Sequence, residues 1–301
     1  MSVLIIGSSG LIGSHLVEFL LAKNMTVIGY DINSTYKKNE GSGYIFEQGS
    51  IEDFPFLASV IKKHDIEMIV HAGGVSHPKS WEKSPNKIIQ TNIVGTSNVF
   101  EAARLFGIKK VIYLSSAAVY GENTSRLVNE NEKPDPATVY GVSKITGEYL
   151  AKIYTNEFGL QATSLRIPFV YGPGRTMHEP IKFLLEKALN GENITEESGI
   201  DQKLEFIYVK DVVTAIWLTL KSSESIGETI NIGAGKLTSM TEIIEVLTKI
   251  FPDVNIEIGP GDFGYEEKMP LDCSKAESIL KFRPEYSIAE GIIEYAKLMK
   301  S

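Results

Sequence analysis

Val3-Leu4-Ile5-Ile6-Gly7-Ser8-Ser9-Gly10-Leu11-Ile12-Gly13 reads as a buried strand that breaks at a glycine turn and runs straight into a helix. Residues 3–6 form an apolar run without alternation, the pattern of a strand covered on both faces. Gly7, Gly10 and Gly13 then follow in G-x-x-G-x-x-G spacing. Glycines placed there permit a tight turn and a close backbone approach to a pyrophosphate, which the free N–H groups of a helix N-terminus attract. Leu11 and Ile12, between the second and third glycines, belong to the same contact surface.

The pattern continues outward. Apolar runs recur at Met25 to Tyr30, Met68 to His71 and Val111 to Leu114. Between them, Leu11 to Lys23 and Asn86 to Phe106 carry apolar residues at mixed spacings of three and four. Alternation of strand and helix predicts a right-handed, doubly wound α/β domain of Rossmann type with a parallel sheet. The second strand ends at Asp31, 18 residues beyond Gly13, where an acid accepts from the adenosine ribose hydroxyls of NAD. A 2′-phosphate would be repelled by Asp31, and Ile32 and Asn33 offer no arginine to offset it. Lys37 and Lys38 lie too far along the loop. Beyond about residue 168 the chain becomes punctuated by Pro and Gly, beginning with Tyr171-Gly172-Pro173-Gly174, and a smaller second region is expected. The predicted division is a cofactor domain at 1–168 with 206–232 returning to it, and a substrate domain at 169–205 and 233–301. Glu192, Glu196 and Glu197 read as a solvated loop.

Composition narrows the class. Of 301 residues, 43% are hydrophobic and 23% charged, an ordinary globular balance. A net charge of −8, with no basic run, argues against nucleic-acid binding. Cys273 stands alone, so neither an internal disulfide nor a multi-cysteine zinc site can form, and a reducing compartment is the simplest setting. The N-terminal apolar stretch lacks a basic flank and is too short for a signal or a span, and no run of about 18 apolar residues occurs elsewhere. A cytoplasmic protein with no metal and no membrane association is expected.

Tyr140-Gly141-Val142-Ser143-Lys144 opens a long helical pattern whose spacing of four sets the phenol and the ammonium on one face. An adjacent lysine cation and a positive nicotinamide ring would favour phenolate in a tyrosine that otherwise titrates near about 10. Upstream, Tyr113-Leu114-Ser115-Ser116 ends a strand and delivers a hydroxyl to the carboxyl edge of the sheet, where ligands of this architecture bind. Tyr-x-x-x-Lys alone is a frequent accident on helices.

Over essentially its full length the chain resembles the extended short-chain dehydrogenase/reductase family, in its sugar-nucleotide epimerase and dehydratase group. The matching blocks are Gly7 to Gly13, Asp31, His71 to Gly74, Asn92 with Gly95-Thr96, Ser115 to Gly121, Tyr140 to Lys144, Arg166 to Gly174, Phe206 to Val213 and Asp272 to Ala276. The resemblance implies Ser116 as the catalytic hydroxyl, with Ser115 as the alternative, Tyr140 as base and acid, and Lys144 on the nicotinamide ribose. It implies further cofactor contacts from Ser50 and Ile51, from Ala72, Gly73 and Gly74, from Asn92 and Ser115, and from Pro168 and Val170. Ser50 stands where the family has Asp, which weakens an adenine contact. A homodimer through helices near 86–106 and 140–158 is also implied.

Departures from the family's pattern bear on the reaction. Dehydratases of the group carry Asp-Glu directly after the catalytic hydroxyl, where this chain has Ala117 and Ala118, so elimination of water is not expected. Where epimerases hold a nucleotide diphosphate with an Asn and two Arg, this chain shows Phe169, Leu204 and Gly259. Candidate substrate contacts are Ser76, His77, Ser116, Phe169, Arg175 and His178; Lys182, Lys203 and Lys236 are further cations on nearby loops. Three readings follow, in order: an NAD-dependent nucleotide-sugar epimerase acting at C4; an NAD-dependent dehydrogenase of an unphosphorylated sugar, sugar acid or polyol; and a non-catalytic NAD-binding regulator.

Overall fold

A computed structural model describes residues 2–34, 43–76, 84–121, 127–177, 179–265 and 269–300. Seven parallel strands form the central sheet: β1 (Ser2–Ile6), β2 (Thr26–Asp31), β3 (Tyr44–Gln48), β4 (Met68–His71), β5 (Lys110–Ser116), β6 (Ala162–Ile167) and β11 (Thr229–Asn231), in spatial order β11-β6-β5-β4-β1-β2-β3. The opening run behaves as its composition dictates. Val3 and Ile5 join one apolar cluster while Leu4 and Ile6 join another on the opposite face, because successive strand residues point to opposite sides of a sheet.

Helices cover both faces. α1 (Leu11–Ala22) buries Leu16, Val17 and Leu20 against the first cluster. α2 (Phe54–Lys63) buries Leu57, Val60 and Ile61 against the second, and Asp53 caps it by accepting the Phe56 amide at 3.1 Å. The expected helix over 86–106 is divided. One turn, α3 (Pro85–Ile88), passes into a π-helical segment, Ile89–Val94, before α4 (Gly95–Leu105). The catalytic-motif helix, α5 (Val139–Phe158), starts with Thr138 accepting the Gly141 amide at 3.1 Å and ends at Gly159, whose φ of 71° closes the helix in the left-handed region.

After β6, β7 (Phe169–Tyr171) leaves the sheet and pairs in parallel with β10 (Phe206–Tyr208). Residues 206–208 thus pair with β7 and not with the seven-stranded sheet. The following helix, Val209–Lys221, packs against α1 and leads to β11 beside β6. The chain beyond β7 also holds helices Pro180–Leu189, Met240–Ile250, Ser274–Leu280 and Ile288–Lys300, and the strand pairs β9 (Lys203–Leu204) with β12 (Thr238–Ser239) and β8 (Ile194–Glu196) with β13 (Ile256–Ile258). Carboxyl ends of β1, β2, β4, β5 and β6 open on one edge of the sheet. β1 sits between β2 and β4, so the chain's direction across the sheet reverses there, where open α/β sheets form their ligand crevice.

Candidate active site

A cavity of about 800 Å³ occupies that crevice. Its floor is the glycine turn. A Cβ on Gly7 (φ +80°) would lie 2.7 Å from the Gly73 backbone, and one on Gly13 would lie 2.0 Å from the Gly7 carbonyl oxygen, so helix and turn close only because both side chains are missing. Gly10 caps α1 without a side-chain bond, leaving N–H groups of the first turn free for an anion. Asp31 closes one end of the cavity. Its Oδ2 accepts the Ser9 amide at 3.0 Å and its Oδ1 the Asn33 amide at 3.0 Å, which fixes the carboxylate beside the turn. An N–H-lined turn with a carboxylate next to it fits an adenine dinucleotide, the pyrophosphate over α1 and the ribose at Asp31.

Gly7, Gly10, Leu11, Ile12, Gly13, Asp31, Ile32, Asn33, Ser50, Ile51, Ala72, Gly73, Gly74, Ser115, Tyr140, Lys144, Pro168 and Val170 all line this cavity. Asn92 does not. It is buried inside the π-helical turn, where its Oδ1 accepts the Val75 amide at 2.7 Å and its Nδ2 donates to the Val75 carbonyl and the Ser143 hydroxyl. Through these bonds Asn92 holds the Gly74-Val75 turn in place.

At the other end, Ser116, Tyr140 and Lys144 converge. α5 approaches the end of β5 because Gly141 has no side chain: a Cβ there would lie 2.6 Å from the Ala118 carbonyl oxygen. Ser116 caps the short 3₁₀ turn Ala117–Tyr120 by accepting the Ala118 amide at 3.2 Å, and its hydroxyl lies near enough to Tyr140 to pull the phenol's pKa down. Ser115 points the other way and donates to the buried Glu148 carboxylate. Adjacent strand residues face opposite sides, so only Ser116 presents its hydroxyl to Tyr140.

The electrostatics differ from the expected ones. Burial raises the Tyr140 pKa above its ordinary value, and the groups pulling it back are the Ser116 hydroxyl and the Arg175 charge. Lys144, expected to supply that pull, donates instead to the Leu114 carbonyl at 2.8 Å, with its Nζ 5.7 Å from the Tyr140 ring centre. Burial also lowers the lysine's own pKa to about 8, against a raising contribution from Glu148. Desolvation outweighs the favourable neighbours of both groups because the two side chains are buried.

Of the substrate candidates, Ser76, Ser116, Phe169 and Arg175 line the cavity; His77 and His178 lie outside the described residues, as do Lys37 and Lys38. Arg175 stacks over Phe169 at 5.0 Å and donates from Nη1 to the Val170 carbonyl at 2.6 Å. Leu204 lines the same wall, whereas Gly259 lies elsewhere, closed against the Glu197 carbonyl oxygen. Lys182 pairs with Glu186 at 2.7 Å, outside the cavity lining. The sequence reading missed Glu205, a cavity-lining carboxylate that accepts the Gly235 amide at 2.7 Å and the Leu271 amide at 2.9 Å and is pushed up to about 7 by burial. Its only signal was its place directly before Phe206-Ile207-Tyr208.

Comparison with known proteins agrees with this geometry. A UDP-glucose 4-epimerase of Halalkalibacterium halodurans is 28% identical over 98% of this chain and 94% of its own. The Thermotoga maritima UDP-glucose 4-epimerase, solved with UDP-glucose, superposes with a TM-score of 0.91 at 29% identity, covering 100% of this chain and 99% of that one. UDP-glucuronic acid 4-epimerase from Bacillus cereus, solved with UDP-glucuronic acid and NAD, gives 0.87 at 27% identity with the same coverage. The sequence profile of the NAD dependent epimerase/dehydratase family matches residues 3–233, and the chain belongs to that family.

Proposed function

We propose that the protein is an NAD-dependent 4-epimerase of a UDP-sugar. The observation that carries this is one cavity running from an NAD-type glycine turn and Asp31 to Ser116, Tyr140 and Lys144 in its lining, in a chain similar throughout to UDP-sugar 4-epimerases. NAD supplies a reversible hydride acceptor in such a site. Tyr140 takes the proton from the sugar 4-hydroxyl as the carbon is oxidised and returns it when the carbon is reduced from the other face. Ser116 orients that hydroxyl, and Lys144 holds the nicotinamide ribose. Ala117 and Ala118, beside Ser116 in the lining, supply no acid or base for elimination.

Phe169 and Arg175 are the substrate-side wall on this reading, with Arg175 the cation available to an anionic group of the sugar nucleotide. A net dehydrogenase of a free sugar is not favoured, because the similar proteins are sugar-nucleotide 4-epimerases. A regulator is not favoured either, since it would need the glycine turn but not the convergent hydroxyl, phenol and ammonium.

A homodimer through α4 and α5 is supported by the apolar side chains these helices leave exposed, Val142, Tyr149 and Ile153 among them; their spacing sets them along one stripe of α5. No described helix is long and apolar enough to cross a membrane, which, with the single cysteine, supports a cytoplasmic setting. The decisive experiment offers UDP-glucose, UDP-galactose, UDP-glucuronate and free sugars with NAD, following product stereochemistry and NADH absorbance together. A 4-epimerase inverts a UDP-sugar without accumulating NADH. Stoichiometric NADH with a free sugar and none of the UDP-sugars inverted would overturn the reading.

A further inference from the structure

Behind the catalytic residues lies a buried charge network that the reaction as described does not use. Arg166 donates to Glu148 through both prongs of its guanidinium, Nε to Oε1 at 2.9 Å and Nη2 to Oε2 at 2.6 Å, with side-chain exposures of 5% and 4%. Ser115 donates to the same carboxylate. The Arg166 guanidinium also lies over the Tyr120 ring, 4.6 Å from its centre. A buried ion pair is weak evidence for stability, since desolvation consumes much of its Coulombic gain. Its placement says more. Ser115 and Arg166 are register partners across β5 and β6, while Glu148 stands four residues beyond Lys144 and eight beyond Tyr140, on the same face of α5. The network thus fixes the strand end that carries Ser116 against the helix that carries the other two groups.

We propose that Glu148 is a positioning residue for the reaction: clamped by Arg166 and Ser115, its carboxylate keeps the buried Lys144 side chain charged and in place. This rests on the reading of Lys144 as a working cation. The lysine needs such a partner because the other groups facing it offer little. From α5 comes Tyr140, from β5 the Tyr113 ring at 5.2 Å and the Leu114 carbonyl, and from β4 His71, which burial holds neutral. Among these only Glu148 carries a negative charge, and it is the one group that raises the Lys144 pKa against burial.

The test compares wild type with Glu148→Gln, Glu148→Asp, the double variant Glu148→Gln/Arg166→Met, which does not strand the Arg166 guanidinium without its carboxylate, and Lys144→Met. Two readouts are followed from neutral to alkaline pH: the NAD dissociation constant by fluorescence quenching, and kcat with KM for epimerisation. In Glu148→Gln and in the double variant, the pH at which NAD binding weakens and kcat falls should drop by about one unit. KM for the sugar nucleotide should change little, and Glu148→Asp should bring the limb back toward its wild-type position. A merely structural Glu148 would scale activity equally at every pH. If Lys144→Met weakens NAD binding and removes the alkaline limb, while that limb stays at its wild-type pH in both the single and the double Glu148→Gln variants, the role of Glu148 is overturned and the reading of Lys144 stands. If Lys144→Met changes neither readout, both fall.

Discussion

Asn92 and Val75 are joined by a two-way amide clasp: Oδ1 accepts the Val75 N–H at 2.7 Å and Nδ2 donates to the Val75 carbonyl at 3.0 Å. The clasp holds Gly74, whose φ of +144° only glycine adopts without strain, and a Cβ there would lie 2.8 Å from Asn92 Oδ1. Asn92→Ala removes both bonds and leaves the half-buried Val75 backbone groups unpaired, at about 1 kcal/mol or somewhat more. NAD affinity should fall about tenfold although Asn92 does not line the cavity. Asn92→Asp keeps the acceptor and should lose less. Calorimetric titration of NAD into the two variants checks the order; equal affinity in wild type and Asn92→Ala would show that the turn holds its shape unaided.

Asp31→Ala should weaken NAD binding and narrow the preference over NADP. The ribose acceptor and the charge that repels a 2′-phosphate are lost together, and the Ser9 and Asn33 amides lose their shared anchor. Unchanged affinities for both cofactors would remove Asp31 from the site.

How much of this was readable in advance depends on how locally each feature is determined. The glycine turn, Asp31 and the Tyr140/Lys144 pair were legible because spacing alone sets their geometry on a strand end or a helix face. The choice between Ser115 and Ser116 depended on which face α5 covers, a tertiary fact that strand alternation cannot supply. The hold of Asn92 on Val75 could not be read in advance, since it depends on a π-helical turn that a 3.6-residue pattern does not announce. β6 escaped the hydrophobic reading since Thr163, Ser164 and Arg166 are polar yet buried. Two of these three have found partners in the interior, Thr163 at the Ser225 carbonyl at 2.6 Å and Arg166 at Glu148.

His71 gives a pH prediction for stability. It is buried between Thr96 and the Lys144 side, and burial lowers its pKa from 6.5 to about 3. Below about pH 6.5 the unfolded chain takes up a proton that the folded chain refuses, so stability is lost as pH falls toward 3, at up to about 1.4 kcal/mol per pH unit from this one group. The melting temperature of His71→Leu should therefore decline less steeply than that of wild type below pH 6.5. Parallel decline in the two proteins would mean that the histidine is protonated in the fold.

Tyr149→Glu combined with Ile153→Glu puts two charges on the exposed apolar stripe of α5 without touching the core. Sedimentation should show a dimer in wild type and a monomer, or a much weakened dimer, in the variant. A wild type that stays monomeric at every concentration would end the homodimer proposal.

Ser116 and Tyr140 divide the catalytic work in a way that separate substitutions can expose. Tyr140→Phe keeps the ring and deletes the group that gives and takes the proton, so NAD should bind nearly as before while turnover falls by about two or more orders of magnitude. Ser116→Ala leaves the phenol but removes the neighbouring hydroxyl and the cap on the Ala118 amide. That hydroxyl is one of two influences holding the Tyr140 pKa down against burial, the other being the Arg175 charge. Its loss should therefore lower turnover less than Tyr140→Phe does and move the acid limb of the pH profile upward, because a higher pH is then needed to form phenolate. Arg175→Met should move that limb in the same direction through charge alone, with a KM effect added if the guanidinium also meets the substrate. Near-normal turnover by Tyr140→Phe on a UDP-sugar would rule out the phenol as the proton carrier, whatever the fold.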